Sequence, residues 1–219
     1  MSPRSASVNE AMRQRSRERL LQATVELVEE RGYEATTLAD ITRRAGTARG
    51  LVSYYFAGKR ELLQSAVHRL MHMELAAALE REPRTDNAQE RLARAIDGIL
   101  GLTQRHTTLM RTHMASILQA EGFIQCPEQQ KLASLLGGTM ADWLAAVEPE
   151  DFEGAEQEYR LLRALLMGAT VALLLPGAPM PLARLRAELF ERYGLEWSAG
   201  DPPADDGIGP TTASRRPAR

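Results

Sequence analysis

Cysteine is almost missing from this chain of 219 residues: Cys126 is the single one. No internal disulfide can form, and no Cys-pair metal motif is available. Aromatic residues make up only 5%, and β-branched runs with period-two alternation are missing too, which argues against strands and for an all-α protein. Long hydrophobic runs are also lacking. The longest, residues 167–176, is too short to cross a hydrocarbon core of about 30 Å, and the N-terminus has no apolar signal-peptide core. A cytoplasmic protein with no membrane partner is expected. There is no Gly-rich phosphate loop, nucleophile elbow or Cys-based ligand set, so no catalytic residue, cofactor or metal is expected. The histidines are four, His68, His72, His106 and His113. Of these, His68 and His72 stand at i, i+4, but without an intervening Glu motif or a legible third ligand they read as a solvated or interdomain surface.

Good helix formers are abundant. Hydrophobic residues reach 44%, enough to bury a substantial core. The net charge of −2 hides an asymmetry: residues 1–60 hold 11 Lys/Arg against 7 Asp/Glu, hence +4, and residues 61–219 hold 16 against 22, hence −6. A basic head on an acidic body suits a nucleic-acid binder with a second function, because clustered cations are what phosphates require.

Punctuation divides the chain into about nine helices. Residues 1–12 and 198–219 carry Ser, Pro, Gly and charge with little to bury, and read as a disordered N-terminal arm and a disordered C-terminal tail. The first helix has Leu20, Ala23, Thr24, Leu27 and Val28 on one stripe and stops at Gly32. Thr37 and Asp40 have capping-box spacing and open a short helix to Ala45. Gly46 supplies a turn, and a third short helix starts at Thr47 or Ala48. Helix, glycine turn, helix within about 18 residues is the size of a DNA-reading helix-turn-helix. A long helix from Lys59 to about Arg81 then leads into helices near 87–105, 107–120, 127–147, 152–175 and 181–193. The expected organisation is a helix-turn-helix domain at 13–58 and a ligand-binding and dimerisation bundle at 59–197.

The stretch from Gly32 to Ile41, followed by Ala45-Gly46-Thr47-Ala48-Arg49-Gly50-Leu51-Val52-Ser53-Tyr54-Tyr55-Phe56 and Lys59-Arg60-Glu61-Leu62-Leu63, resembles the DNA-binding region of the TetR family of bacterial regulators. The match combines apolar, glycine, aromatic and lysine positions at fixed offsets over about 45 residues, whereas residues 80–219 match only in helix number, length and order. Two positions depart: Ser53 stands where many members carry Tyr, and Ala48 where they often carry Ser. The resemblance implies a repressor released from an inverted-repeat operator by a small-molecule inducer. The alternative is a helical dimeric small-molecule-binding protein with weak or non-specific DNA binding.

Leu38, Ile41, Ala45, Val52 and Phe56 are assigned to the core of the head. A recognition helix enters the major groove by its N-terminal end, which makes Thr47, Ala48, Arg49, Leu51 and Ser53 the base-facing set, with Arg49 able to pair bidentately with guanine. Gly50 lets the backbone approach, and the resemblance puts Tyr54 at phosphate or sugar and leaves Tyr55 between contact and packing. Thr37 and Lys59, at helix N-termini, are set against phosphates. Of Arg43 and Arg44 one is expected near the duplex, with Arg44 chosen, while Arg13, Arg15 and Arg17 read as solvated charges.

In the body, Tyr159, Leu162, Leu166, Ala169, Leu173, Leu182, Leu185 and Leu189 recur at helical spacing. The family pairs its last two helices across a twofold axis, so the resemblance makes these residues the expected homodimer interface; the alternative is that these helices complete the monomer core. The resemblance also places an inducer within the middle helices, for which Met110, Met114, Ile117, Phe123, Leu136, Met140 and Trp143 are the apolar candidates. Gly137 and Gly138 interrupt that segment.

Overall fold

Two short helical patterns, each too brief to be stable alone, fold here because they share the apolar surface of a long one. In the computed structural model, which describes residues 3–119, 122, 124–147 and 154–196, α1 runs Pro3–Arg31, α2 Leu38–Ala45 and α3 Gly50–Tyr55. Helices of 8 and 6 residues lie well below the 12–15 or so needed for isolated stability. They are held by packing Ile41, Val52 and Phe56 onto Leu20, Leu21, Leu27 and Val28 of α1, all buried. Thr37 closes the capping box at α2 in both directions with Asp40. Gly46 ends it at φ 60°, ψ 42°, where its own N–H and that of Thr47 return to the carbonyls of Arg43 and Thr42. This left-handed C-terminal turn favours glycine and sets the angle between α2 and α3.

The body consists of α4 (Lys59–Leu79), α5 (Ala88–Arg105), α6 (Thr107–Ile117), α7 (Pro127–Val147), α8 (Gly154–Leu174) and α9 (Leu182–Tyr193), with no strand among the described residues. The helix α4 packs most extensively against α7 and α5. Arg94, itself buried, clamps the α4–α5 connection by donating to the carbonyls of Arg81 (2.5 Å) and Pro83 (2.6 Å) and to Glu90 (2.7 Å).

Two departures from the sequence reading concern the ends of elements. Residues 3–12, expected to be disordered, continue α1 as helix, with residues 8–12 exposed. A helix nucleated by its packed half propagates outward easily, here with Glu10 accepting from Arg13 (3.2 Å) and Gln14 (3.0 Å). The third helix begins at Gly50 rather than at 47 or 48, because Leu51 and Val52 first bond back three residues to Ala48 and Arg49 in a tight turn. The expected tail, 198–219, lies outside the described residues.

Head and body share one core. The cluster around Leu20, Ile41 and Phe56 also contains Leu102, Leu109, Met110, Met114 and Leu174 from α5, α6 and α8. The head therefore does not end cleanly at residue 58. No helix of the described residues is long and apolar enough to cross a membrane.

Candidate nucleic-acid interface and buried cavity

The helix-turn-helix presents a solvent-facing surface at the start of α3. Ala48, Arg49, Gly50 and Ser53 are exposed, and Tyr54 stands 67% exposed beside them, its ring edge-on to Tyr55 at 4.9 Å. The Tyr55 hydroxyl donates to the Arg13 carbonyl (3.1 Å), which ties α3 to α1 and makes Tyr55 a packing residue in the unbound chain. Leu51 is half-buried.

Several assigned side chains sit elsewhere than expected. Arg44 lies across α1, donating to both carboxylate oxygens of Glu30 (2.7 and 2.8 Å) and to Glu26 (3.1 Å). Those carboxylates hold its charge where a phosphate would be repelled, while Arg43, with its side chain 76% exposed and paired only with Asp40, is the freer cation. The Thr47 hydroxyl is buried without a partner, so it does not face outward with its neighbours. Thr37 gives its hydroxyl proton to Asp40 (2.6 Å), and these hydrogen bonds lower the Asp40 carboxyl from its usual value. Lys59 lies with its ammonium 3.9 Å from the Tyr33 ring centroid, and burial there lowers its pKa from the ordinary lysine value.

Arg17, read as a solvated charge, is instead the strongest link between head and body. Its guanidinium makes two hydrogen bonds to Glu128 at the start of α7, one of 2.9 Å, and stacks 5.1 Å from the centroid of Phe56. Burial is the largest single influence and raises the Glu128 carboxyl, but the hydrogen bonds from Arg17 and the backbone, together with the charges of Arg17 and Lys131, jointly hold the carboxyl below its normal value. Arg69 of α4 adds a pair with Glu18. Arg60 and Gln64 of α4 donate to the Gly122 carbonyl, and Gln64 accepts from the Ile124 N–H (2.9 Å). The connection that leads into α7 is thus pinned to the first turns of α4.

Behind that connection lies a partly open cavity of about 80 Å³ between α4, α5, α6, α7 and α8. Of the apolar candidates for an inducer site, Met110, Met114, Ile117 and Leu136 line it. Met140 and Trp143 do not: Met140 is fully buried in the core of the body, and Trp143 packs edge-on against Tyr193 at 5.3 Å. Both lie farther along α7, beyond the stretch that reaches the void. Phe123 lies outside the described residues. The sequence reading missed the polar part of the lining, which includes Gln129, Arg163 and the two histidines His68 and His113.

His68, expected at a solvated or interdomain surface, is 2% exposed, with Nδ1 at 3.3 Å from Cys126 Sγ and its ring 5.1 Å from that of His113. Burial pushes His68 down to about 4, with Arg163 adding and Glu128 opposing, and burial together with His68 pushes His113 down to about 3. Both rings are neutral at pH 7. Burial likewise pushes the Cys126 thiol up, which keeps it protonated.

The expected dimer residues also face inward. Leu162, Leu166, Ala169, Leu182 and Leu189 are buried within the chain's own core, with Tyr159, Leu173 and Leu185 packed against that core. Helical periodicity marks a buried face whichever body buries it. A second stripe on α8 remains uncovered: Gln157, Leu161, Ala164, Gly168, Val171 and, just past the end of the helix, Leu175 are all exposed, the leucines and valine by 37–47%.

These features define an all-helical, helix-turn-helix protein with a cavity-bearing body. Residues 20–66 match the family model described as bacterial regulatory proteins, tetR family. The HTH-type transcriptional regulator BetI 1 of Chromohalobacter salexigens is 35% identical over 100 residues, 45% of this chain and 50% of that protein. BetI of Stenotrophomonas maltophilia is 32% identical over 126 residues, 55% and 64% of the two chains. The chain thus spans about half the length of the first of these curated relatives. A TetR transcriptional regulator from Rhodococcus sp. RHA1 superposes with a TM-score of 0.66 at 20% identity, covering 83% of this chain and 95% of that one. RolR in complex with resorcinol gives 0.62 at 19%, covering 85% and 91%. At these identities the superpositions speak for the fold alone. The match to the tetR family model rests on residues 20–66, the helix-turn-helix head and the start of α4.

Proposed function

We propose that this chain is a homodimeric transcriptional repressor that binds an inverted-repeat operator through α3 and releases it when a small molecule occupies the body cavity. The observation that carries this reading is the joint between the two sites. Glu128, which holds Arg17 of the head, directly precedes Gln129, which lines the cavity.

At the duplex, Arg49 pairs with a base edge, while Ala48, Gly50, Leu51 and Ser53 follow the groove floor and Tyr54 and Lys59 take phosphates. Of the remaining assigned positions, Thr37 and Thr47 act through the backbone of the turn, Tyr55 by holding α3 to α1, and Arg43 replaces Arg44 as the flanking cation. A molecule in the cavity presses on α7 at Gln129, Leu132, Ala133 and Leu136. Such pressure moves Glu128, hence Arg17 and Phe56, the residue that ends α3. A ligand acts only through its differential affinity for two head positions, and this contact chain gives it one.

The test is selection of retained sequences from a pool of random duplex DNA at two salt concentrations. An enriched inverted repeat with half-sites about 34–36 Å apart is expected, together with a steep loss of retention as salt rises. Retention that depends on salt but enriches no sequence would overturn the operator reading.

A further inference from the structure

The cavity wall treats charged and uncharged occupants differently. Burial is the main influence that pushes His68 to about 4 and His113 to about 3, so the space already turns away two positive charges at pH 7. A ligand ammonium meets the same desolvation and finds no carboxylate among the described lining residues. Tyr159 is the one carbocyclic aromatic there, too little for the cage of rings that a cation needs. A ligand carboxylate finds no cation set aside for it, because the single guanidinium at the lining, Arg163, is solvent-exposed and already engaged. Met71, Met110, Met114 and Met167 supply an apolar, adaptable wall.

Gln129 is the polar group of the wall still open to a ligand. It lies in the first turn of α7, half-buried and lining the cavity. Its backbone N–H donates to Cys126 Sγ (3.4 Å), and its carboxamide makes no hydrogen bond with any described residue. A carboxamide donates and accepts without carrying charge, which complements a hydroxyl. Resting on the ligand-binding reading above, we infer that the cavity selects a small uncharged alcohol or phenol, with its oxygen on the Gln129 carboxamide and its hydrocarbon among the methionines. The contact falls one residue from Glu128, whose hydrogen bonds hold Arg17 of the head, so the polar end of the ligand sits where the proposed signal starts. The volume of about 80 Å³ is roughly half that of a cavity known to admit benzene, about 150 Å³. A ligand of several carbons therefore enters with rotation of the methionine side chains.

Calorimetric titration of the full chain at pH 7.5 with benzyl alcohol, toluene, benzoate and benzylamine, and in parallel with hexan-1-ol, hexanoate and hexylamine, separates the head group from the hydrocarbon. The alcohol of at least one series is expected to bind more than tenfold tighter than its acid and its amine, a comparison made on the unaltered chain. Gln129→Met keeps the length of the side chain and removes both hydrogen-bonding groups. With the urea midpoint confirming the fold, the hydroxyl left unpaired is expected to weaken each alcohol that binds at least fivefold, and toluene less than twofold. Ala133→Leu, which fills the lining, is expected to weaken alcohol and toluene together. An acid or amine that binds as tightly as its alcohol, silence from every compound, or an alcohol affinity untouched by Gln129→Met would each overturn the inference. Because heat is read directly, the result is independent of DNA. An alcohol that binds but leaves operator retention unchanged sinks the inducer role in the proposed function and leaves the ligand class standing; an acid or amine that binds tighter and releases the operator does the reverse.

Discussion

At Gly50 the local geometry separates folding from recognition. A Cβ placed there would meet nothing within 4 Å in the unbound chain, so nothing inside the protein requires glycine at the start of α3. Gly50→Ala is expected to stabilise the free protein by about 0.4–1 kcal/mol through a less disordered unfolded chain, and to weaken operator binding at least tenfold, because the added methyl faces the duplex. Urea midpoints and a DNA titration read the two effects independently; undiminished affinity would move the duplex away from Gly50. His68 and His113 raise a different question at the same scale. Each is held neutral when folded and titrates near 6.5 when unfolded. Below pH 6.5 the unfolded chain therefore binds more protons than the folded one, and stability falls as pH falls. The stability tied to the two rings is fully present above pH 6.5 and drains down toward pH 4, each ring contributing a slope of up to about 1.4 kcal/mol per pH unit. Between pH 6.5 and 5 carboxylates titrate little, so the urea midpoint is expected to drop across that window and His113→Leu to reduce the slope by about half. Equal midpoints at pH 6.5 and 5 would remove both histidines from the core.

Among the elements, α1 and α7 meet through one ion pair of low exposure, Arg17 at 15% and Glu128 at 6% of their side-chain surface. Removing one member leaves the other charge buried and uncompensated, which costs about 3 kcal/mol in comparable pairs. Arg17→Leu is expected to destabilise by about that amount, and Arg17→Leu with Glu128→Leu to recover most of it, since two apolar side chains suit the space between Phe56 and α7. The same double variant is expected to bind DNA and ligand separately while the ligand no longer displaces the DNA. Displacement at undiminished strength would reject α7 as the transmitting element. This pair also marks the limit of what the sequence disclosed. The helices were readable because capping boxes, glycines and prolines punctuate them locally, as at Thr37–Asp40, Gly46 and Pro127. Partners 111 residues apart leave no such local trace, and an arginine on an otherwise charged turn of α1 looks solvated. His68 and the polar cavity wall were hidden for the same reason. Met110, Met114, Ile117 and Leu136 were legible because an apolar helix face points at the interior, whether it borders a void or, like Met140, solid core.

For the molecule as a whole, helical periodicity marks two different faces of α8, and only one of them is open to the proposed dimer. The apolar repeat on α8 that attracted attention, Leu162, Leu166 and Ala169, fills the chain's own core. The other repeat, Gln157, Leu161, Ala164, Gly168, Val171 and Leu175, alternates steps of four and three residues, the spacing of a two-helix seam, and lies in the open. Gly168, with nothing near its Cβ position, lets a second helix approach, and Ala183 and Ala187 on the exposed face of α9 lie on a helix that packs against α8. Two substitutions of equal chemistry on one helix therefore have different expected outcomes. Leu166→Glu buries a charge without a partner and is expected to unfold the chain. Val171→Glu is expected to leave the circular dichroism spectrum and the urea midpoint of the monomer intact while sedimentation shows dissociation at micromolar concentration. The dissociated head then binds one half-site, so operator affinity is expected to fall by about 10²–10⁴, the factor lost when two linked contacts become one. A Val171→Glu chain that sediments as a dimer and holds its operator would place the twofold axis elsewhere.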